Sequence, residues 1–322
     1  MIGISMSGSF PPELPLSRSE HDRDYLFRSR PGLFEELAAD SAARVLVLWK
    51  GAALVDGTAL RLLPGDRVPK AELRIYLGRS LAASSPEPVG TPVLAAVVSD
   101  EVAAQLSPDP ASWANLRSIG SALSHRDAGL FTEALAMANW HLSHAFSPRT
   151  GEPTVPELGG WVRRDPASDA GPGQENFPRT DAAIIVGITD ADDRLLLGSN
   201  ALWEENRFSL LAGFVEPGES LESAVLREVF EESGIRIVDP VYFGSQPWPF
   251  PASLMLGFRA RVDPDQDWTL TPDGDEILEL RWFSREELTA ALGSIILPGH
   301  TSIARYIIED WFGGPIEDGQ PW

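Results

Sequence analysis

The spacing of apolar residues changes along the chain and predicts several regions of different structure. In the first hundred residues, short apolar runs such as Ala43–Trp49 and Leu73–Leu77 are separated by glycine and aspartate, a pattern typical of β-hairpins. Trp113–Leu123 and the Ala- and Leu-rich stretch Ala128–Phe146 have helical spacing. We therefore expect a smaller N-terminal α+β domain over residues 1–130.

Residues 131–178 carry the rest of the long helix and a connector dominated by Pro, Gly, Asp and Arg. From residue 179 onward, strand patterns such as Ala182–Ile188 and Leu254–Val262 alternate with helical ones such as Ser302–Phe312. Strands with helices packed outside predict an α/β fold, with a mixed sheet, for the C-terminal domain over residues 179–322.

Composition narrows the classes of protein that fit this pattern. The chain has no cysteine, which excludes disulfides and thiolate metal sites. No apolar run approaches the roughly 20 residues that span a bilayer, and no signal peptide is recognisable, so we expect a cytoplasmic protein with no membrane partner. The formal net charge of −21 argues against non-specific nucleic-acid binding. A small anionic substrate still fits, because a bound divalent metal would reverse the local field.

Carboxylates are concentrated within Gly213–Ile235, a stretch that reads as a turn followed by a helix ending at Gly234. Glu228, Glu231 and Glu232 fall at i, i+3 and i+4, so they share one face of that helix. An isolated face of this kind is usually only solvated, but a divalent cation would remove the repulsion among its carboxylates. Mg²⁺ prefers such hard oxygen ligands and completes its shell with water and phosphate oxygens.

The complete stretch fits the pattern G-x5-E-x7-R-E-U-x-E-E-x-G-U, with U an aliphatic residue, and thereby resembles the Nudix box. The resemblance implies a metal site on an α/β/α sandwich. Glu228 and Glu232 would bind Mg²⁺ or Mn²⁺, and Glu231 would be a further ligand or lie beside the ligands. Arg227 would orient these carboxylates. The remaining residues implied at the metal site are Glu219, which would bind metal or brace the loop, and Ala212, through its carbonyl oxygen.

The chemistry implied is attack of a metal-activated water on one phosphorus of a diphosphate, in line with the leaving oxygen. A nearby glutamate would serve as general base. The sequence does not decide which of the glutamates has this role.

A second motif, Ser245–Ser253, reads SQPWPFPAS, and its alternating prolines hold the backbone extended. Trp248 and Phe250 offer flat faces to a base, although a loop packed on the core is the plainer interpretation. The motif resembles the S-Q-P-W-P-F-P-x-S signature of the NADH pyrophosphatase branch of Nudix enzymes, and Glu276 looks like that branch's third metal-binding glutamate. The substrate contacts that the resemblance implies are Phe177, Phe214, Gln246, Pro247, Trp248, Pro249, Phe250, Pro251, Ala252, Ser253, Ala304 and, from the N-terminal domain, Arg117.

This branch implies hydrolysis of NADH or NAD⁺ to AMP and nicotinamide mononucleotide by a homodimer, with removal of NAD caps from RNA 5′ ends in some members. Its usual four-cysteine zinc site is replaced here by Ser147, Thr150, Asp165 and Ser168. Hydroxyls and one carboxylate make a poor zinc site. We therefore expect no structural zinc and a cysteine-less, degenerate zinc-ribbon-like connector.

Two other functions fit the Nudix box. The first is hydrolysis of another dinucleotide, such as ADP-ribose or a compound similar to CoA, against which the Ser245–Ser253 motif argues. The second is an inactive NAD-binding sensor, against which the intact Glu228, Glu231, Glu232 and Glu276 argue. Whether free NAD(H) or NAD-capped RNA is the physiological substrate stays open.

Overall fold

The structure is a computed structural model that describes residues 13–166, 175–266 and 268–319. Within it the chain divides into two compact units. The N-terminal unit contains Pro15–Asp181 and also Pro247–Leu254. The C-terminal unit contains Ala182–Gln246, the residues from Met255 onward, and Leu14.

An eight-stranded sheet organises the N-terminal unit. Its strands are β1 (His21–Asp22), β2 (Arg44–Trp49), β3 (Ala52–Asp56), β4 (Ala59–Leu60), β5 (Leu63–Pro64), β6 (Leu73–Ser80), β7 (Pro92–Val97) and β8 (Trp113–Asn115). The order is β1-β6-β7-β2-β3-β4, with β5 beside β2 and β8 beside β3. Only β2 and β7 run parallel; the other described pairs are antiparallel.

Among the described residues of this unit, four segments are α-helical: α1 (Leu33–Ala39), α2 (Asp100–Leu106), α3 (Leu116–Ile119) and α4 (His125–Ser143). The side chains of Leu130, Phe131 and Ala134 on α4 are fully buried and pack in one core with sheet residues that include Leu46 and Ile75. Burial on several sides explains why α4 has an apolar run rather than a narrow apolar stripe.

The helix expected over Trp113–Leu123 is wrong for its first part. Trp113–Asn115 forms β8 and pairs with Ala52–Leu54, and only Leu116–Ile119 is helical. The Asn115 side chain accepts the backbone N–H of Arg117 at 2.9 Å. This cap sets the start of α3 at Leu116 because a capping residue has extended backbone angles.

Three short strands form the connector: β9 (Val155–Glu157), β10 (Val162–Arg164) and β11 (Glu175–Asn176), in antiparallel pairs. Hydrogen bonds link it to α4. The Gly160 carbonyl lies 2.8 Å from Nε2 of His141, whose Nδ1 lies 2.8 Å from Nη1 of Arg163. Since arginine can only donate, His141 is neutral here and carries its proton on Nε2.

The C-terminal unit holds the second large sheet. Its strands are β12 (Asp181–Thr189), β13 (Leu195–Asn200), β14 (Leu211–Phe214), β15 (Ile237–Trp248), β16 (Ser253–Val262) and β17 (Ile277–Phe283), and its helices are α5 (Leu221–Ser233), α6 (Arg285–Ala291) and α7 (Ile303–Phe312). The sheet order is β15-β16-β12-β13-β17, with β14 paired to β12. Helix α7 buries Ile303, Ile307 and Ile308 in the core. No described helix combines the length and apolar character needed to cross a membrane.

Candidate active site

The carboxylate helix α5 is joined to strand β14 by a short loop. Ser220 caps α5 by accepting the Ser223 N–H at 3.1 Å, and Gly234 ends it with φ of 72°. Residues Ala224, Val225 and Val229 are buried. The apolar face therefore holds α5 in the unit, and the glutamates lie on other parts of its surface.

Arg227 joins the loop to the carboxylates of the helix. Its guanidinium donates to Glu219 at 2.5 and 3.1 Å, to Glu228 at 2.9 Å and to Glu231 at 2.9 Å. It also donates to the Phe214 carbonyl at 3.0 Å. The hydrogen bonds that Arg227 donates to Glu219 first, and then to the other two carboxylates, raise the pKa of Arg227 above its ordinary value. One cation thus sets the positions of three acidic side chains.

Glu228 lies directly against the backbone of β14. A Cβ on Gly213 would be 2.0 Å from the carboxyl carbon of Glu228 and 2.2 Å from each of its oxygens. Only glycine leaves that space, which gives a physical reason for the first position of the box. Burial raises the pKa of Glu228, while the hydrogen bond from Arg227 acts in the opposite direction.

Glu232 is the most buried carboxylate of the helix. Its residue is 4% exposed, and Oε2 has no hydrogen-bond partner among the described residues. Burial, followed by the negative charges of Glu228, Glu276 and Asp273, raises the pKa of Glu232 to about 8. A hydrogen bond from the Ala212 backbone N–H opposes this shift. An unpaired buried oxygen beside other carboxylates fits a cation ligand, because a cation would satisfy the oxygen and offset the repulsion.

Glu276 belongs to a tight acidic loop before β17. Oδ1 of Asp273 accepts the backbone N–H groups of Asp275, Glu276 and Ile277 at 2.8 to 3.0 Å. The Glu276 carboxylate accepts a hydrogen bond from Nδ2 of Asn200 at 3.1 Å. Asn200 and Asp273 were not predicted from the sequence. The Asp-Gly-Asp-Glu order hints at the turn, but nothing local marks Asn200, which is 76 positions away.

In the described part of the chain, no three acidic or histidine side chains already converge as a metal site. Arg227 accounts for part of this arrangement, since it engages both Glu228 and Glu231. The fit to a cation therefore rests on Glu232 and on the charges around it.

The second motif is divided between the units, with Gln246 in the C-terminal unit and Pro247–Ser253 in the N-terminal unit. Gln246 is fully buried and donates to the Thr301 carbonyl at 3.0 Å. Ala304, at the start of α7, is also buried. These two side chains are enclosed by protein in this structure, whereas Phe214, the second residue of the box, is 58% exposed.

Within the N-terminal unit, Trp248 and Phe250 meet edge to face with ring centroids 4.9 Å apart and pack partly against the core. The Arg117 guanidinium carbon lies 4.2 Å from the Phe250 ring centroid and 5.4 Å from that of Trp248. Nδ2 of Asn139 donates to the carbonyls of Pro249 and Pro251 at 2.9 and 3.2 Å. The structure thus brings Arg117 to the motif and adds Asn139. Phe177 is 61% exposed.

At the connector, Oγ of Ser147 accepts the backbone N–H groups of Arg149 and Thr150 at 3.3 Å. The Thr150 hydroxyl donates to Asp165 at 3.2 Å. Three of the positions noted in place of the cysteines are thus brought together by hydrogen bonds. The fourth, Ser168, lies outside the described residues.

Comparison with known proteins identifies both halves of the chain. A NUDIX domain model matches residues 178–305, and a model for the NADH pyrophosphatase-like rudimentary NUDIX domain matches residues 42–140. The chain is 40% identical over 314 residues to the NAD-capped RNA hydrolase NudC of Mycobacterium bovis, covering 89% of this chain and 96% of that protein.

More distant relatives cover less of the chain. This chain is 35% identical over 199 residues to the NAD-capped RNA hydrolase NUDT12 of Homo sapiens, and the match covers 59% of this chain and 42% of that protein. A solved Nudix hydrolase from Nitrosomonas europaea is 23% identical with a TM-score of 0.37, and the match covers 53% of this chain and 94% of that one. The identity over nearly all of the M. bovis protein shows that this chain belongs to the NADH pyrophosphatase-like (NudC) branch of the Nudix hydrolases.

Proposed function

We propose that the chain hydrolyses the diphosphate of NADH or NAD⁺ to AMP and nicotinamide mononucleotide, and that it also removes NAD caps from RNA 5′ ends. Two relatives that carry the name NAD-capped RNA hydrolase support the substrate. The observation that carries the chemistry is Glu232, a buried carboxylate with an unpaired oxygen beside Glu228, Glu276 and Asp273.

Nudix hydrolases generally need divalent metal ions, and for this chain we propose Mg²⁺ or Mn²⁺. Glu228, Glu232 and Glu276 would hold the metal, together with Glu231, Glu219 or the Ala212 carbonyl. When bound, the metal supplies charge neutralisation of the diphosphate and a more acidic water.

The chain's own residues have three tasks in this proposal. Arg227 keeps Glu219, Glu228 and Glu231 in register, so the carboxylates need not reorganise during reaction. One glutamate accepts the proton of the attacking water. The exposed rings of Phe214 and Phe177 suit stacking with the rings of the substrate, as the resemblance implies. The other substrate contacts predicted from the sequence stay proposals.

The finer organisation is also part of the proposal. The domain boundaries at residues 130 and 178, a homodimer and a cytoplasmic location remain predictions. The three-stranded connector would be a zinc-ribbon counterpart without zinc. The hydrogen bond from Thr150 to Asp165 supports this, since it links two of the positions at which the resemblance implies zinc-binding cysteines in related proteins.

The test is hydrolysis by purified protein with Mn²⁺ or Mg²⁺ of NADH, NAD⁺, ADP-ribose and NAD-capped RNA. We expect AMP from NADH and nicotinamide mononucleotide from capped RNA. Glu232→Gln should lower kcat by about 100-fold or more. Glu222→Gln, an exposed carboxylate on the same helix outside the box pattern, is the matched control and should stay near wild type.

The alternatives predict different results in the same panel. Preferential cleavage of ADP-ribose would favour a hydrolase of another dinucleotide. Binding of NAD without its cleavage in the presence of either Mn²⁺ or Mg²⁺ would favour an inactive sensor. If NADH yields no AMP, the proposed function is wrong.

A further inference from the structure

A loop beside Glu276 presents two large apolar side chains to solvent. It spans residues 200–207 and follows β13. Leu202 is 92% exposed and its neighbour Trp203 is 40% exposed. Adjacent exposed apolar side chains cost solvation free energy, and next to a functional site they indicate a surface for a ligand.

Both ends of the 200–207 loop are tied to the C-terminal unit. At the first end, Asn200 donates through Nδ2 to the Glu276 carboxylate at 3.1 Å, and Ala201 N–H donates to the Glu276 carbonyl at 2.8 Å. At the other end, the backbone carbonyl of Asn206 accepts the Ile296 N–H at 2.8 Å. The Asn200 side chain also accepts the Leu202 N–H at 2.9 Å. Trp203 therefore lies three residues after Asn200, and the Asn200 side chain is hydrogen-bonded to the proposed metal ligand Glu276.

The charges of the loop select the kind of ligand. Glu204 and Glu205 outnumber Arg207, and Arg207 is paired with Glu204 at 2.5 Å. This surface does not attract phosphates. The flat, uncharged face of a base suits it better, and stacking of a base on an aromatic side chain contributes roughly 1–3 kcal/mol.

A dinucleotide has two ring systems, and the exposed Phe177 and Phe214 are already proposed to stack with them. Trp203 is a further exposed aromatic, three residues after Asn200, whose side chain is hydrogen-bonded to Glu276. In NAD-capped RNA, the cap adenosine continues through its 3′ oxygen into the next nucleotide, whose base free NADH lacks. We propose that Trp203 stacks on the base of this next nucleotide and so favours capped RNA over free NADH. This inference rests on the proposed function.

The test compares the two substrates in Trp203→Ala. We expect kcat/KM for NAD-capped RNA to fall by about 10-fold, the effect of losing one stack, while kcat/KM for NADH stays within about twofold of wild type. Trp203→Phe should retain most of the activity on capped RNA because it keeps a ring. Leu142→Ala, which removes an apolar side chain that is 77% exposed on α4, is the control and should change neither value.

A binding measurement separates stacking from a change in the loop. Capped RNA with 2-aminopurine in the nucleotide after the adenosine should lose fluorescence on binding to Glu232→Gln protein, and should lose much less on binding to Glu232→Gln/Trp203→Ala. If Trp203→Ala lowered kcat/KM equally for NADH and for capped RNA, Trp203 would contact the dinucleotide that both substrates share, and the inference would be overturned. Unchanged activity on capped RNA, or a wild-type protein that cleaves NADH only, would also overturn it. A wild-type protein that cleaves neither substrate would instead contradict the proposed function.

Discussion

The carboxyl carbon of Glu228 occupies the space that a side chain at position 213 would need, at 2.0 Å from an ideal Cβ. Real Cβ atoms do not approach other atoms so closely, so any larger residue at 213 must displace Glu228. An alanine at 213 would therefore move the flexible end of the Glu228 side chain rather than the backbone of β14 or α5.

Gly213→Ala should accordingly reduce activity while the fold persists. We expect kcat to fall by about 100-fold, since a displacement of about 1 Å in a catalytic group has effects of this size. Titration with Mn²⁺ should show weaker binding. Gly314→Ala has open space around its Cβ and is the control within the same unit. Wild-type kinetics in Gly213→Ala would contradict the proposed role of Glu228 in the active site.

Arg227→Lys tests whether the guanidinium geometry matters or only its charge. Lysine keeps the charge but lacks the planar fork that reaches Glu219, Glu228 and Glu231 together. We expect kcat to fall by about 10- to 100-fold, with a smaller change in KM for NADH. A lysine variant with full kcat would show that charge alone suffices.

Asn200→Ala should release the Glu276 carboxylate from its one described side-chain donor. If Asn200 positions Glu276, the variant should need more Mn²⁺ for half-maximal activity, and saturating Mn²⁺ should restore most of kcat. Asn200→Asp should be more severe, because a second carboxylate would face Glu276 at hydrogen-bond distance. The same Mn²⁺ requirement in all three proteins would contradict the positioning role.

His141 predicts a specific loss of stability in acid. Burial lowers the pKa of His141 from 6.5 to about 4. Between these values the unfolded chain binds more protons than the folded one, so this contribution to stability falls as the pH falls from 6.5 towards 4. His141→Gln keeps a donor and an acceptor but does not titrate. Urea unfolding at pH 7 and pH 5 should therefore show a smaller decrease for this variant than for wild type.

The connector should be stable without zinc. Elemental analysis of chelator-washed protein should find no stoichiometric zinc, and its melting temperature should match that of untreated protein. Asp165→Ala should lower the free energy of unfolding by about 1 kcal/mol, because the acceptor of the Thr150 hydroxyl is lost and only partly replaced by water. Stoichiometric zinc after chelation would contradict the prediction.

Local pattern was enough to predict the helix with Glu228, Glu231 and Glu232, because cap, carboxylate spacing and terminal glycine all lie within it. Whether each of these carboxylates is buried or exposed could not be predicted from the sequence. Glu232 is buried and Glu231 exposed although they are adjacent, since tertiary packing decides which side of α5 is covered. The strand at Trp113–Asn115 was missed for a related reason: its pairing with Ala52–Leu54 outweighs a helical pattern that local sequence suggests.

The placement of Pro247–Leu254 has a consequence for dissecting the protein. Its contacts include Asn139 on α4 and the core that contains Phe131, both outside the 178–305 stretch recognised as a domain by sequence. A fragment cut at those boundaries would uncover Trp248 and Phe250 and leave backbone carbonyls without their donor. The stretch recognised by sequence therefore leaves out residues that cover these two rings, and we expect a fragment of residues 178–305 to stay soluble only if this segment is redesigned.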